Sequence, residues 1–218
     1  MAVPGLGLSV QGWAPTLSRL GPGRGTAAVA LPAFGAPARR GTALDPATSA
    51  ERLLGHLDDL GTGPVALLGH SASCQVVVEA ARSAPDRVTA LVLVGPTTDP
   101  AARSWASMVR RWVRTVRGEP LHQVPQLLRD YAHSGLAGFV RALDRSRRHR
   151  IEQMLPALEH PVLLVRGDRD RLCPRGWLDR LAERPAPTSI RTVPGAAHMA
   201  PLTHPDELAA ILRPFLSA

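Results

Sequence analysis

Three stretches of this chain, "PVALLG" (64–69), "VTALVLVG" (88–95) and "PVLLVRG" (161–167), are apolar at successive positions rather than at every second one. A strand with one wet face alternates; a short continuous apolar run needs cover on both faces. "TAAVAL" (26–31) and "SIRTVPG" (189–195) are further runs of β type. Each is followed within a few residues by Gly, Pro or Asp. Helical patterns fall among them at about 13–20, 48–60, 73–84, 175–183 and 205–217. Strand–helix alternation with strands buried on both sides predicts an α/β fold: a mostly parallel sheet with helices on both faces.

Local signals place some helix ends. Thr48 or Ser49, with Glu51 close behind, is expected to cap the second helix. "HPDELAAILRPFL" sets Pro205 in the first turn of the last helix, with acids there to suit its dipole. Residues 100–158 break the alternation. They hold no strand candidate, several helical pieces, and breaks at Gly118–Pro120, Pro125 and Gly135. This segment is read as a helical insertion into a core made of residues 1–99 and 159–218.

The 218 residues suffice for one large core, and 44% hydrophobic content is ordinary for a globular chain. No apolar run is long enough to span a bilayer, and the N-terminus lacks the basic and apolar regions of a secretory signal. Cys74 and Cys173 give neither a disulfide framework nor a metal-ligand spacing, so a cytoplasmic protein with reduced thiols and no metal is expected. All 26 basic residues are arginine. Residues 101–150 carry eleven of them against three acids, which equals the net charge of the whole chain, +8. Such a segment can bind nucleic acid or an anionic membrane, or can simply be a solvated helical face. With no nucleic-acid motif and few interleaved aromatics, the solvated face is the expectation and no nucleic-acid partner is assigned.

The chemistry concentrates at strand ends. Gly69-His70-Ser71-Ala72-Ser73 lies between an apolar strand and a helix, where a sharp turn of small residues exposes a nucleophilic serine; a plain helix cap is the alternative. In "VLLVRGDRDRLCP" (162–174) a buried strand ends at Gly167 and an acidic loop follows. Asp168 and Asp170 are both candidates to orient a histidine, Asp170 being favoured by its offset from the strand. In "VPGAAHMAPLTHPDEL" (193–208), His198 sits between the last strand and the last helix. His204 competes with it, but starts a helix and is expected to face solvent. Ser, Asp and His therefore arrive in that order at the ends of successive strands.

The chain resembles the α/β-hydrolase superfamily, in particular small bacterial hydrolases with a helical cap. The resemblance rests on "PGLGLS" (4–9), "LPAFG" (31–35), "LLGHSAS" (67–73), "LVGPTTDP" (93–100), "RGDRDRLCP" (166–174) and "PGAAHMAPLTHPDEL" (194–208). It implies a triad of Ser71, Asp170 and His198, with backbone N–H groups of Leu6 and Ala72 as the oxyanion hole. Ser73 stands where the family pattern closes with glycine, Pro4 where it commonly has histidine, and Ala30 where it commonly has aspartate. The family has two strands before the one that ends at "PGLG"; only Met1-Ala2-Val3 precedes that turn here, so an N-terminally shortened sheet is expected.

On this resemblance residues 100–158 become a cap. Its Trp105, Met108, Trp112, Leu127, Leu128, Tyr131 and Phe139 are candidates to line a pocket, with Trp105, Met108, Trp112 and Tyr131 foremost. The implied activity is hydrolysis of an ester, thioester or related acyl bond of a small molecule through an acyl-enzyme, with no cofactor. C–C bond hydrolysis and perhydrolysis use the same triad. A non-catalytic small-molecule or partner receptor on the same scaffold is the reading from a different class. The sequence leaves substrate and oligomeric state open.

Overall fold

The computed structural model describes residues 1–21 and 25–217. Among these residues five strands form one sheet: β1 (Ala2–Val3), β4 (Val65–His70), β5 (Val88–Val94), β6 (Val162–Gly167) and β7 (Thr188–Val193). Their order is β1-β4-β5-β6-β7, and every pairing is parallel. Two short strands, β2 (Leu31–Pro32) and β3 (Gly35–Ala36), pair with each other outside it.

The continuous apolar runs are explained by where alternate residues go. Leu67, Leu91, Leu93, Val162 and Leu164 enter the core on one side of the sheet. There they meet α2 (Pro46–Asp59), α3 (Ser73–Ser83) and α8 (Arg175–Leu181). Leu68, Val92, Val94, Leu163 and Val165 enter a second core on the other side, together with Leu208, Ala209 and Leu212 of the last helix. Successive side chains of a strand point to opposite faces, so a strand covered twice must be apolar throughout.

Two local expectations are corrected. The helix assigned to 48–60 starts earlier, at Pro46, and its cap is Asp45. The Asp45 carboxylate accepts the Thr48 N–H at 2.9 Å and the Thr48 hydroxyl at 2.9 Å, and Pro46 at the first helical position has no N–H to satisfy. "TAAVAL" is not a continuous strand. Ala28 forms an isolated parallel bridge with Ala2, and regular pairing resumes only at Leu31. A strand extends as far as its partner, and β1 offers only two residues.

Helices α1 (Ala14–Ser18), α9 (Ala200–Thr203) and α10 (Pro205–Phe215) complete the layers around the sheet. Between β5 and β6 the chain forms α4 (Trp105–Val116), α5 (Val124–Ser134), α6 (Leu136–Arg148) and α7 (Ile151–Met154), and no strand. Buried Asp99 anchors its entry: the carboxylate accepts the Ala101 N–H at 3.0 Å and pairs with Arg111 of α4 at 2.7 Å and with Arg180 of α8.

Candidate active site

β4 turns into α3 through two residues, and the turn is tight. A Cβ on Gly69 would lie 2.7 Å from the Cα and 2.8 Å from the backbone nitrogen of Cys74, so only glycine lets the helix start this close to the strand. Ser71 takes the strain of the turn, with φ at +58°, a left-handed conformation costly for a residue with a Cβ. Its N–H donates to the Val94 carbonyl at 2.9 Å, which fixes the serine above the ends of β4 and β5.

The hydroxyl of Ser71 lies 2.8 Å from Nε2 of His198, and Nδ1 of His198 lies 2.7 Å from Oδ2 of Asp170. Asp170 is 1% exposed, and its other oxygen accepts the N–H groups of Leu172 at 2.8 Å and Cys173 at 3.1 Å. Burial disfavours its charge, but His198 and these N–H donors outweigh that and hold the carboxyl below its usual range. With Asp170 ionised, Nδ1 of His198 carries the proton and Nε2 accepts from Ser71. Burial also opposes a charged His198, yet the Asp170 carboxylate, with Glu119 beyond it, raises the imidazole above its ordinary value.

Of the two acidic candidates, Asp170 is therefore the one that meets the histidine; Asp168 is exposed. His204 is half-buried rather than turned to solvent, and its Nδ1 lies 2.9 Å from the Thr203 hydroxyl at the α9–α10 junction. Cys74 and Cys173 are both fully buried, and burial pushes their thiols well above the ordinary range.

Leu6 and Ala72 both line the space over Ser71, and neither of their N–H groups donates to an acceptor among the described residues. That space is a cavity of about 540 Å³ with Ser71 and His198 at its floor. Trp105, Met108, Trp112, Tyr131 and Phe139 line it, as do Val109, Leu136 and Val140; Leu127 and Leu128 do not. Tyr131 and Phe139 meet edge to face, with ring centres 5.3 Å apart. The polar side chains that line the cavity are the Ser71–His198 pair, His70, two threonines, Ser146 and Arg147, and Arg147 already pairs with Asp144. No cluster of His, Cys, Asp or Glu among the described residues can hold a metal.

Several residues that support the site carry no local sequence signal. Ser73, in place of the family's glycine, is fully buried; its hydroxyl accepts the His70 N–H at 2.8 Å and lies 2.8 Å from the Val3 carbonyl. His70 is buried too, and Nε2 donates to the His198 carbonyl at 2.9 Å. Burial, then the charge of His198, pushes its imidazole down to about 3, so it stays neutral. Arg166 does not pair with the neighbouring aspartate side chains; it donates to the carbonyls of Cys173, Asp168 and Asp170 and braces the acidic loop from within.

The α4–α6 segment holds all three loops that meet over Ser71. Thr115 accepts the N–H groups of Arg171 at 3.0 Å and Leu172 at 3.1 Å, beside Asp170. Glu119 accepts the Met199 N–H at 2.8 Å, beside His198. Asp130 accepts the N–H and hydroxyl of Ser9, each at 3.0 Å, and Ser134 donates to the Gly7 carbonyl at 3.1 Å, beside Leu6. These bonds join residues 56 to 127 positions apart, which is why no short motif announces them.

The fold recurs in solved structures of low sequence identity. An esterase from Exiguobacterium antarcticum superposes with a TM-score of 0.80 at 15% identity, over 100% of this chain and 91% of its own. A hydrolase from Oleispira antarctica gives 0.82 at 13% identity, over 99% and 89%. The 2-hydroxy-6-oxo-6-phenylhexa-2,4-dienoate hydrolase of Rhodococcus sp. strain RHA1 gives 0.77 at 17% identity, over 100% and 89%. No curated protein matches the chain by sequence. The sequence pattern of the alpha/beta hydrolase family matches residues 2–211, and with the parallel sheet and the strand-end loops over Ser71 it makes this chain a member of that family.

Proposed function

We propose that the protein is a serine hydrolase that cleaves an ester or thioester of an apolar acyl group. The observation that carries this is the continuous hydrogen-bonded chain from Asp170 through His198 to Ser71, opening into an apolar cavity. The strained φ of Ser71 supports it, since such strain persists where the surrounding structure enforces it and gathers at functional positions. In this reading residues 100–158 are a cap over the core, and Trp105, Met108, Trp112 and Tyr131 select the acyl group.

The steps follow from the geometry. As Oγ of Ser71 attacks the carbonyl carbon, its proton passes to Nε2 of His198, and Asp170 stabilises the resulting imidazolium. The oxyanion is received by the N–H groups of Leu6 and Ala72, each worth about 3 kcal/mol in comparable sites. His198 returns the proton to the leaving alcohol or thiol. Water then adds to the acyl-enzyme, again losing its proton to His198, and Ser71 recovers its own as the acid departs.

A fluorophosphonate probe read by intact mass tests this. One adduct on the wild type, absent from Ser71→Ala and strongly slowed in His198→Ala, is the expected result. A folded wild-type protein that takes no label overturns it in favour of a binding protein on the same scaffold. A panel of soluble p-nitrophenyl esters of increasing chain length then reads the acyl preference.

A further inference from the structure

Among the described residues, ten of the eleven large apolar side chains left exposed fall between Trp105 and Val140. On α4, Trp105, Val109, Trp112, Val113 and Val116 share one helical face. On α6, Leu136 and Val140 are one turn apart, and Leu136 is 76% exposed. Trp105, Val109, Trp112, Leu136 and Val140 also line the cavity over Ser71. The apolar surface is thus the rim of the cavity and continues inward to the serine.

The same segment holds the charge. Residues 101–150 carry a balance of +8, the whole net charge of the protein. Arg110 of α4 and Arg117 at its C-terminal cap stand on the flank that adjoins the apolar face, and Arg129 is on α5; all three are exposed and in no ion pair among the described residues. An exposed apolar stripe with tryptophan, edged by unpaired arginines, is the pattern of a helix that lies in a lipid–water interface.

We propose that this rim docks on an anionic phospholipid surface and that the cavity receives its acyl substrate from it. Charge complementarity selects that occupant. A second copy of the chain would set two +8 segments face to face, and a nucleic acid would leave the valines and leucines against water. Docking stands on the surface alone; delivery of substrate to Ser71 rests on the hydrolase reading above.

The test uses the full-length Ser71→Ala protein with vesicles of phosphatidylcholine alone or mixed with phosphatidylglycerol, read by sedimentation and tryptophan emission. Trp13 and Trp177 are each 1% exposed, so a blue shift reports Trp105 and Trp112. Binding to the anionic vesicles with a blue shift, and at least ten-fold less to the neutral ones, is expected. Val113 and Val116 do not line the cavity, so Val113→Asp/Val116→Asp should weaken vesicle binding at least ten-fold while, in the Ser71 background, fluorophosphonate labelling keeps its wild-type rate. Arg110→Gln/Arg117→Gln should lose about 25-fold, from about five-fold per arginine near an anionic surface. Equal binding to both vesicle types, none at low salt, a dimer in solution that these variants dissociate, or tighter binding to duplex DNA would overturn the proposal. Vesicle binding without labelling would sink the hydrolase reading and leave the docking intact.

Discussion

Ser73→Ala offers the sharpest test of how the elbow is held. The hydroxyl is the acceptor for the His70 N–H, and its one proton faces the carbonyls of Val3 at 2.8 Å and His70 at 2.9 Å, in a position with no exposure at all. Alanine leaves the His70 N–H buried without an acceptor, which costs about 1–3 kcal/mol, and removes a hydrogen bond worth about 1 kcal/mol. The Val3 carbonyl is not orphaned, because the Trp13 indole still donates to it at 3.1 Å. The expected loss is about 2–4 kcal/mol, a large share of the 5–15 kcal/mol typical of a domain. Guanidinium unfolding should show a lower midpoint at unchanged slope. Ser73→Gly, which restores the usual family pattern, loses the same bonds and should be no more stable than alanine. Activity should report the same tether, since β1 pairs with β4 through two residues only and leads into the loop that carries Leu6. A loosened Leu6 N–H weakens the transition state more than the bound ester, so kcat should drop about 10- to 100-fold with KM little changed, short of the 10²–10³ seen for losing a donor outright. Either variant within 0.5 kcal/mol of wild type, or Ser73→Gly more stable than it, would refute this reasoning.

Glu119→Gln keeps an oxygen for the Met199 N–H but removes a charge that raises His198. Since His198 must be neutral to act as base, the acid limb of kcat/KM should lie above pH 6.5 in the wild type and move to lower pH in the variant. Thr115→Val frees the N–H of Arg171 and leaves that of Leu172 to Asp170 alone, and should lower both the thermal midpoint and kcat, by about 1–3 kcal/mol in stability. Gly69→Ala drives a methyl group into the backbone of Cys74 and should abolish soluble expression or cost more than about 4 kcal/mol. His70 is neutral in the fold down to about pH 3 but protonates when unfolded below its ordinary 6.5. The unfolded state therefore binds the extra proton between those values, and stability falls as pH drops through that window, by about 1.4 kcal/mol per unit. The slope should flatten in His70→Asn, as read by urea midpoints across the acid range.

What the sequence determined by itself is what local composition controls. A strand apolar at every position has to be covered twice, and Leu67 and Leu68 do enter opposite cores, so "PVALLG" already implied the layered sheet. The turn at Gly69–Ser73 and the order of serine, acid and histidine were legible for the same reason: each is a short motif at a strand end. The choice of Asp170 over Asp168 could be favoured from its offset, but burial and a 2.7 Å contact with His198 are properties of the folded loop. The cap of α2 at Asp45 and the shortness of pairing at "TAAVAL" were misread because each depends on a partner: a free N–H in the first case, a two-residue neighbour strand in the second. The tertiary structure alone decided the role of Ser73 as a tie to Val3, the hold of Thr115 and Glu119 on the loops around Ser71, and the gathering of α4 and α6 apolar residues at one cavity rim. Those contacts join residues 56 to 80 positions apart, and only the packed chain brings their polar groups within reach while removing the water that would otherwise satisfy them.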